Sequence, residues 1–132
     1  MAHSIQVFHE RSEVLNDADL IIIIALSLDI ILKSSHLESL RSLADEWRWM
    51  LDHYGPGVID LKIEQLLFTS AQQQDFATLL AAIIEQANQY HDTIPASILK
   101  EWASVPGVTY VDYKVSILVH AVERLKVLLG KK

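Results

Sequence analysis

The run LIIIIALSLDIIL spans Leu20–Leu32, and only Ser27 and Asp29 interrupt its apolar character. A helix that is apolar on every side must be covered on every side, by protein or by lipid. At ~1.5 Å per residue this helix would be about 20 Å long, shorter than the roughly 20 apolar residues of a membrane span. Asp29 would also be costly in a hydrocarbon interior. The run therefore predicts a buried central helix around which other helices pack.

The bounds of this helix follow from its flanking residues. Ser12 and Asn16 can both cap a helix, which gives a predicted helix over about 12–33. Isoleucine also favours strands, but the apolar run exceeds the usual strand length without a turn residue, so we prefer a helix. Residues 1–11 have no strong periodicity, and we interpret them as an N-terminal arm that packs through Ile5, Val7 and Phe8.

Heptad-like spacing predicts a second helix. The segment Ser35-His36-Leu37-Glu38 matches a capping box, in which serine and glutamate bond to each other's free backbone amides. Apolar side chains then recur at steps of three and four, at Leu37, Leu40, Ala44, Trp47, Leu51 and Tyr54. Gly55 is expected to end this helix and Pro56 to open the next one. That next segment continues the spacing through Ile59, Ile63 and Leu66 and stops near Thr69.

Two further helices follow the same logic. Ser70 and Gln73 form a second predicted capping box, ahead of a seam at Phe76, Leu80, Ile83, Ala87 and Tyr90. A short helix is expected over Pro95–Ala103, and Pro106-Gly107 breaks the chain again.

The C-terminal segment allows two interpretations. A last helix is indicated by Val111, Val115, Leu118, Val122, Leu125 and Leu129. Residues 108–115 also alternate in the manner of a strand, which could pair with 20–26. We prefer the helix, because two candidate strands would give only a small sheet. The predicted fold is all-α: one domain over 1–132, a bundle of five to six helices around the central helix.

Composition excludes several function classes. The chain has 132 residues with 17 Asp and Glu against 11 Lys and Arg, a formal net charge of −6. Nucleic acid is therefore not expected as a partner, because phosphate backbones are held by clustered basic residues. The absence of cysteine excludes disulfides, thiolate nucleophiles and cysteine metal sites. We expect no signal peptide, no membrane association and a cytoplasmic location.

Six histidines raise the question of a metal site. His9 with Glu13 and His120 with Glu123 have helical spacing, but neither is the Glu-x-x-His pattern that di-iron bundles repeat on two helices. Such pairs usually lie on a solvated helix face. We predict no metal and no cofactor.

One short segment, Arg48-Trp49-Met50-Leu51-Asp52-His53, resembles the Arg-x4-6-His signature of HEPN domains. These are small all-α bundles that include ribonucleases and toxin partners. The resemblance implies that Arg48 would stabilise phosphate charge and that His53 would act as general acid or base on a ribose hydroxyl. The alternative is that Arg48 pairs with Asp52 at i,i+4 while His53 lies in the last turn of the helix.

Trp49 is the unexpected residue on the second predicted helix. It stands within a polar stripe formed by Glu38, Ser42, Asp45, Trp49 and Asp52. Tryptophan is enriched at the energetic centres of interfaces. We therefore predict a protein interface at Trp49, Arg48 and Asp52. The alternative is that another part of the chain, such as the N-terminal arm, covers the indole.

These features favour a non-enzymatic helical interaction module that binds a protein partner or itself as a homodimer. Its acidity suits an inhibitor of a basic partner, as in immunity proteins and antitoxins, by analogy. One alternative is a HEPN-like ribonuclease or an inactive relative that uses Arg48 and His53. Another is a carrier of a small apolar ligand, held between helices by four aromatic side chains: Trp47, Tyr54, Phe76 and Tyr90.

Overall fold

A computed structural model describes residues 2–55, 59–102, 105 and 109–130, and the described chain is mostly α-helical. Its α-helices are α1 (Asp17–Lys33), α2 (Arg41–Asp52), α3 (Ile63–Leu66), α4 (Ser70–Asn88), α5 (Ala96–Trp102) and α6 (Val115–Leu128), with a 3-10 helix over Ser35–Leu40. Its strands are β1 (His3–Phe8), β2 (Arg11–Asn16), β3 (Thr93–Ile94) and β4 (Tyr113–Lys114). The prediction of an all-α fold is thus right in its helical class and wrong in omitting two small sheets.

Helix α1 is formed by the isoleucine-rich run, as predicted. Asn16 caps it: the side-chain oxygen accepts a hydrogen bond from the Ala18 amide at 2.8 Å. The helix ends at Lys33, and it contacts α2, α4, α5 and α6. Ile23 and Leu26 are both fully buried, and every residue from 20 to 28 is buried as well, which confirms the expectation that this part of the helix is covered on every side.

The first sixteen residues differ from the sequence prediction. Residues 11–16 are not helical, so the alternative helix start at Ser12 is wrong. The predicted arm is the antiparallel hairpin of β1 and β2, with Ile5 opposite Val14. Phe8 packs into the core, whereas Ile5 and Val7 face solvent. Polar side chains take their place on the inner face of the hairpin, where Ser4 and Gln6 are buried.

Ser4 and Gln6 are buried because they bond to the backbone of a neighbouring segment. Gln6 Nε2 donates to the Ile59 carbonyl at 2.7 Å, and Gln6 Oε1 accepts from the Leu61 amide at 2.8 Å. Ser4 Oγ accepts from the Ile59 amide at 3.1 Å and donates to the carboxylate of Asp17 at 2.5 Å. These bonds satisfy backbone groups that burial would otherwise leave unpaired.

The second predicted helix begins as a 3-10 turn and becomes α-helical only at Arg41. No side-chain bond caps its start, so the capping box predicted at Ser35 and Glu38 is wrong. The seam itself is correct: its members from Leu37 to Leu51 are buried. Helix α2 ends at Asp52, three residues before Gly55. The helix start predicted at Pro56 lies outside the described residues.

The capping box of α4 lies one residue earlier than predicted. Thr69 Oγ1 accepts from the Gln72 amide at 3.0 Å, and Gln72 Oε1 accepts from the Thr69 amide at 3.1 Å. The seam behind it is correct, with Phe76, Leu80, Ile83 and Ala87 fully buried. Within the described residues 59–69, only Ile63–Leu66 (α3) are helical, fewer than the continuous segment that was predicted.

The C-terminal third combines both sequence interpretations. Helix α5 covers all but the ends of the predicted Pro95–Ala103 segment, and Ala103 and Pro106-Gly107 lie outside the described residues. Tyr113 and Lys114 form β4, which pairs with β3 and not with α1 residues 20–26. Helix α6 then starts at Val115, so Val111 precedes it and is exposed. Within the described ranges, none of the helices combines the length and apolar character that crossing a bilayer requires.

Candidate protein interface

The outer face of α2 carries an exposed tryptophan. Trp49 has 61% of its surface accessible to solvent, whereas Trp47 has none. Side chains two positions apart on an α-helix differ in direction by about 160°, so the two indoles point in nearly opposite directions. The Trp47 indole donates to the Leu61 carbonyl at 2.8 Å and packs edge-on against Phe76. One tryptophan anchors the helix to the core, and the other is displayed.

The exposed Trp49 indole stacks on the imidazole ring of His53. The His53 ring stacks on Trp49 with centroids 4.2 Å apart and planes 18° from parallel. His53 Nδ1 lies 2.8 Å from the Trp49 carbonyl oxygen, which also accepts the His53 backbone amide at 3.1 Å. Since a carbonyl oxygen only accepts, we assign the donated proton to Nδ1. The stack and the bond hold both rings on the surface of α2.

Charged side chains surround this pair of rings. Arg48, Asp45 and Asp52 are all exposed on α2. Glu46 is engaged by Lys62 at 3.2 Å, but the ion pairs of the described residues do not include one between Arg48 and Asp52. The intrahelical pair considered from the sequence is therefore wrong. An exposed aromatic side chain with charged side chains beside it is typical of a protein interface, which has an apolar centre and a polar rim.

The two residues of the HEPN-like motif, Arg48 and His53, lie at the C-terminal end of α2. Positions five apart on an α-helix point about 140° apart. His53 turns toward Trp49, and no hydrogen bond or ion pair joins it to Arg48 within the part of the chain that the structure describes. The joint role of Arg48 and His53 that the resemblance implies therefore stays a prediction.

The four aromatic residues considered for a ligand pocket are divided among separate contacts. Trp47 and Phe76 meet each other and are fully buried. The Tyr54 hydroxyl donates to Asp17 at 3.1 Å. Tyr90 packs edge-on against Trp102 with ring centroids 5.8 Å apart. These contacts make them parts of the core and its margin.

The two histidine–glutamate pairs differ: His120 and Glu123 are exposed on α6, the solvated helix face that was expected, whereas His9 and Glu13 do not lie on a helix. His9 lies in the turn of the hairpin, 4.0 Å from Glu64, while Glu13 binds Arg124 at 2.6 Å. Among the described residues, no group of three or more His, Asp or Glu side chains is arranged to hold a metal ion.

No known protein family, curated protein or solved structure matches this chain. Its function therefore has to be inferred from the chemistry of its own surfaces.

A second polar cluster, not anticipated from the sequence, joins the first turn of α1 to β4. The Tyr113 hydroxyl donates to the Asp19 carboxylate across 94 positions of sequence. Burial raises the pKa of Asp19, and the bond from Tyr113 and the charge of Arg124 only partly oppose that rise. Burial and the adjoining Asp19 raise the pKa of the Tyr113 phenol as well. Only long-range folding creates this pair, so no local sequence signal could have revealed it.

The raised pKa of Asp19 predicts a stability change with pH. Above pH 3.8, the ordinary aspartate value, the unfolded chain loses this proton before the folded chain does. The folded state is therefore progressively destabilised until the pH exceeds the raised pKa. Asp19→Asn removes the titration and keeps an acceptor for Tyr113, so we expect the variant to gain stability relative to wild type over this range.

Urea titrations at several pH values would measure this difference, with exposed Asp92→Asn as the matched control. A stability difference between wild type and Asp19→Asn that stays constant, or changes in the opposite direction, would show that the fold does not raise the pKa of Asp19.

Proposed function

We propose that this protein is a non-enzymatic interaction module that forms a homodimer through the outer face of α2, centred on Trp49. The observation that carries the proposal is the 61% exposure of the Trp49 indole. Covering such an indole with a symmetric partner is a common way to remove apolar area from water. The N-terminal hairpin does not cover Trp49, since 61% of this residue is accessible to solvent.

The fixed stack on His53 supports this role. Association costs conformational entropy for each side chain that it immobilises. Trp49 and His53 already hold each other at a centroid distance of 4.2 Å. Two rings ordered before binding lose less freedom on association than two mobile side chains would.

The charges beside the rings support a self-complementary contact. Arg48 and Asp52 lie on the same helix, exposed and not paired with each other. In a two-fold contact, Arg48 of one copy can face an acidic residue of the other, and the converse pair forms by symmetry. In this proposal α1 is the centre of a single-domain helical bundle, and α2 is the outer helix that the bundle presents.

The acidic composition suggests which other protein could take the same face. With a net charge of −6, the chain would attract a basic protein and repel nucleic acid. We propose an inhibitory role like that of an immunity protein or antitoxin, in which a basic protein partner competes with the second copy for the surface around Trp49.

Sedimentation equilibrium at micromolar concentration tests the proposal. We expect a dimer for wild type and weaker association for Trp49→Ala. Loss of a central interface tryptophan costs ~2 kcal/mol or more, which corresponds to an increase of about 30-fold in the dissociation constant.

Leu32→Ala is the matched control, since Leu32 is 59% exposed on α1 and should leave association unchanged. A wild-type monomer, or a dimer that Trp49→Ala does not weaken, would contradict the proposal.

A further inference from the structure

The two strands of the N-terminal hairpin differ in what lies beside their outer edges. On the β2 side, Arg124 Nη2 donates to the Val14 carbonyl at 2.7 Å. Arg11 Nη1 donates to the Val127 carbonyl of α6 at 3.4 Å. Helix α6 therefore covers the edge of β2.

The hydrogen-bonding pattern of the hairpin decides which backbone groups of β1 point away from β2. Bonded and non-bonded residue pairs alternate along an antiparallel ladder. The Asp17 amide donates to the Ala2 carbonyl at 3.0 Å, so this pair, one step beyond the ladder, is a bonded one. Counting from it, Ile5 and Val14 form a non-bonded pair. The direction of the Val14 carbonyl, toward α6, agrees with this count.

The outer edge of β1 is formed by the backbone amides and carbonyls of Ile5 and Val7. By the same alternation these groups point away from β2, and across the described part of the chain no hydrogen bond engages them. Edge strands usually carry lysine, proline or a bulge that prevents pairing with another chain. Strand β1 has the sequence HSIQVF and pairs with β2 without a bulge, so it has none of these features. The edge is therefore suited to pair with an added strand.

The side chains beside this edge are apolar on the outer face of the hairpin. Ile5, Val7 and the cross-strand Val14 are all exposed there. Neighbouring apolar side chains on one face stabilise paired strands. Because successive side chains of a strand point to opposite faces, an added strand would match this surface with β-branched residues at every second position.

Acidic side chains lie on the β1 side of the hairpin. The segment that Gln6 binds carries the exposed Asp60, and α3, which contacts β1, carries the exposed Glu64. Lys62, the lysine of this segment, pairs with Glu46 of α2 at 3.2 Å. The charge that remains beside β1 is negative, and it favours a strand with lysine or arginine at the alternate positions.

We infer that the outer edge of β1 binds an extended basic segment of a partner protein by antiparallel strand addition. The backbone of that segment pairs with Ile5 and Val7, and its apolar side chains lie beside the outer face of the hairpin. Its basic side chains, on the other face, are attracted by Asp60 and Glu64. This surface does not include Trp49 and does not depend on self-association.

Hydrogen exchange in the free protein tests the edge itself. The Ser4 and Gln6 amides belong to bonded pairs of the ladder and should exchange slowly. The Ile5 and Val7 amides should exchange at least about 10-fold faster, because they have no partner. Slow exchange of the Ile5 and Val7 amides in the protein alone would overturn the inference, since the edge would already be paired by this chain or by a second copy.

The probe for binding is the peptide acetyl-Lys-Val-Lys-Val-Lys-Val-Lys-amide. We expect it to shift the amide NMR signals of Ile5 and Val7 in a saturable way and to slow their exchange. The same peptide N-methylated at its valines lacks the donors that face β1, so it should bind at least about 10-fold more weakly. A version with glutamate in place of lysine should also bind more weakly, by about 5-fold at low ionic strength.

Ile5→Lys tests the position of the site on the protein. Ile5 is exposed, so the substitution should leave the fold intact while it places a charge beside the edge and weakens binding of the lysine peptide roughly 10-fold. Val127→Lys is the matched control, since Val127 is exposed on α6 beside the covered edge of β2. It adds the same charge and should leave binding unchanged. Trp49→Ala should also bind the peptide as wild type does, so failure of the proposed dimer would not affect this test.

Three results with the peptides would overturn the inference. The first is no saturable shift at Ile5 and Val7 up to about 5 mM lysine peptide. The second is equal binding of the peptide with N-methylated valines, which would show that backbone pairing is not involved. The third is equal weakening by Ile5→Lys and Val127→Lys, which would reduce the effect to overall charge.

Discussion

Replacing Ile23 by alanine should lower the free energy of unfolding by roughly 2–5 kcal/mol. The Ile23 side chain is completely buried in α1, which is packed against α2, α4, α5 and α6. Removal of its outer carbons therefore loses apolar burial and leaves a cavity that several helices would have to close together. Chemical denaturation would measure the change, and Leu26→Ala, at a second fully buried position of α1, should behave alike.

The matched control for Ile23→Ala is Leu32→Ala on the same helix. Leu32 is exposed, so its truncation should change stability by no more than ~0.5 kcal/mol. Equal losses in the two variants would mean that helix propensity, and not burial on all sides, determines the stability of α1.

Replacing Gln6 by methionine should cost about 2–4 kcal/mol of unfolding free energy. Methionine keeps the length and volume of the side chain but cannot make the bonds to the Ile59 carbonyl and Leu61 amide. Ile59 and Leu61 are both nearly fully buried, so two backbone groups would be left without partners. Urea denaturation would measure the loss, and the hairpin should open before the rest of the chain unfolds.

Gln65→Met is the control for this substitution, since Gln65 is an exposed residue of α3. If Gln6→Met were as stable as Gln65→Met, the paired bonds of Gln6 would contribute nothing to stability.

The long helices could be predicted from the sequence because their apolar spacing is regular over many turns. In α1 the run exceeds the length of an ordinary strand. In α4 the seam from Phe76 to Ala87 repeats in steps of three and four. Helix ends were less certain, because Thr69 and Ser70 are both competent caps and only the packed structure selects Thr69.

The hairpin was missed because its burial pattern is the reverse of the usual one. Strand β1 alternates strictly, but Ser4 and Gln6 face inward while Ile5 and Val7 face solvent. Polar side chains are stable there only because the backbone of 59–61 provides partners for them. That segment is more than fifty residues away in sequence, so no local pattern could predict the arrangement.

The candidate interface was predictable in part. The position of Trp49 within a polar helical stripe left two alternatives, an interface or cover by another part of the chain, and Trp49 is exposed. The stack with His53 was not predictable, because it depends on how the chain leaves the helix at the residue after Asp52.

Isotope-filtered NOE spectroscopy on an equal mixture of labelled and unlabelled protein tests the proposed Trp49 contact most directly. The experiment detects only proton contacts between different copies. We expect contacts from the indole protons of Trp49 to protons of α2 in the second copy. Indole contacts confined to the same chain, such as those to the stacked ring of His53, would contradict the proposed dimer.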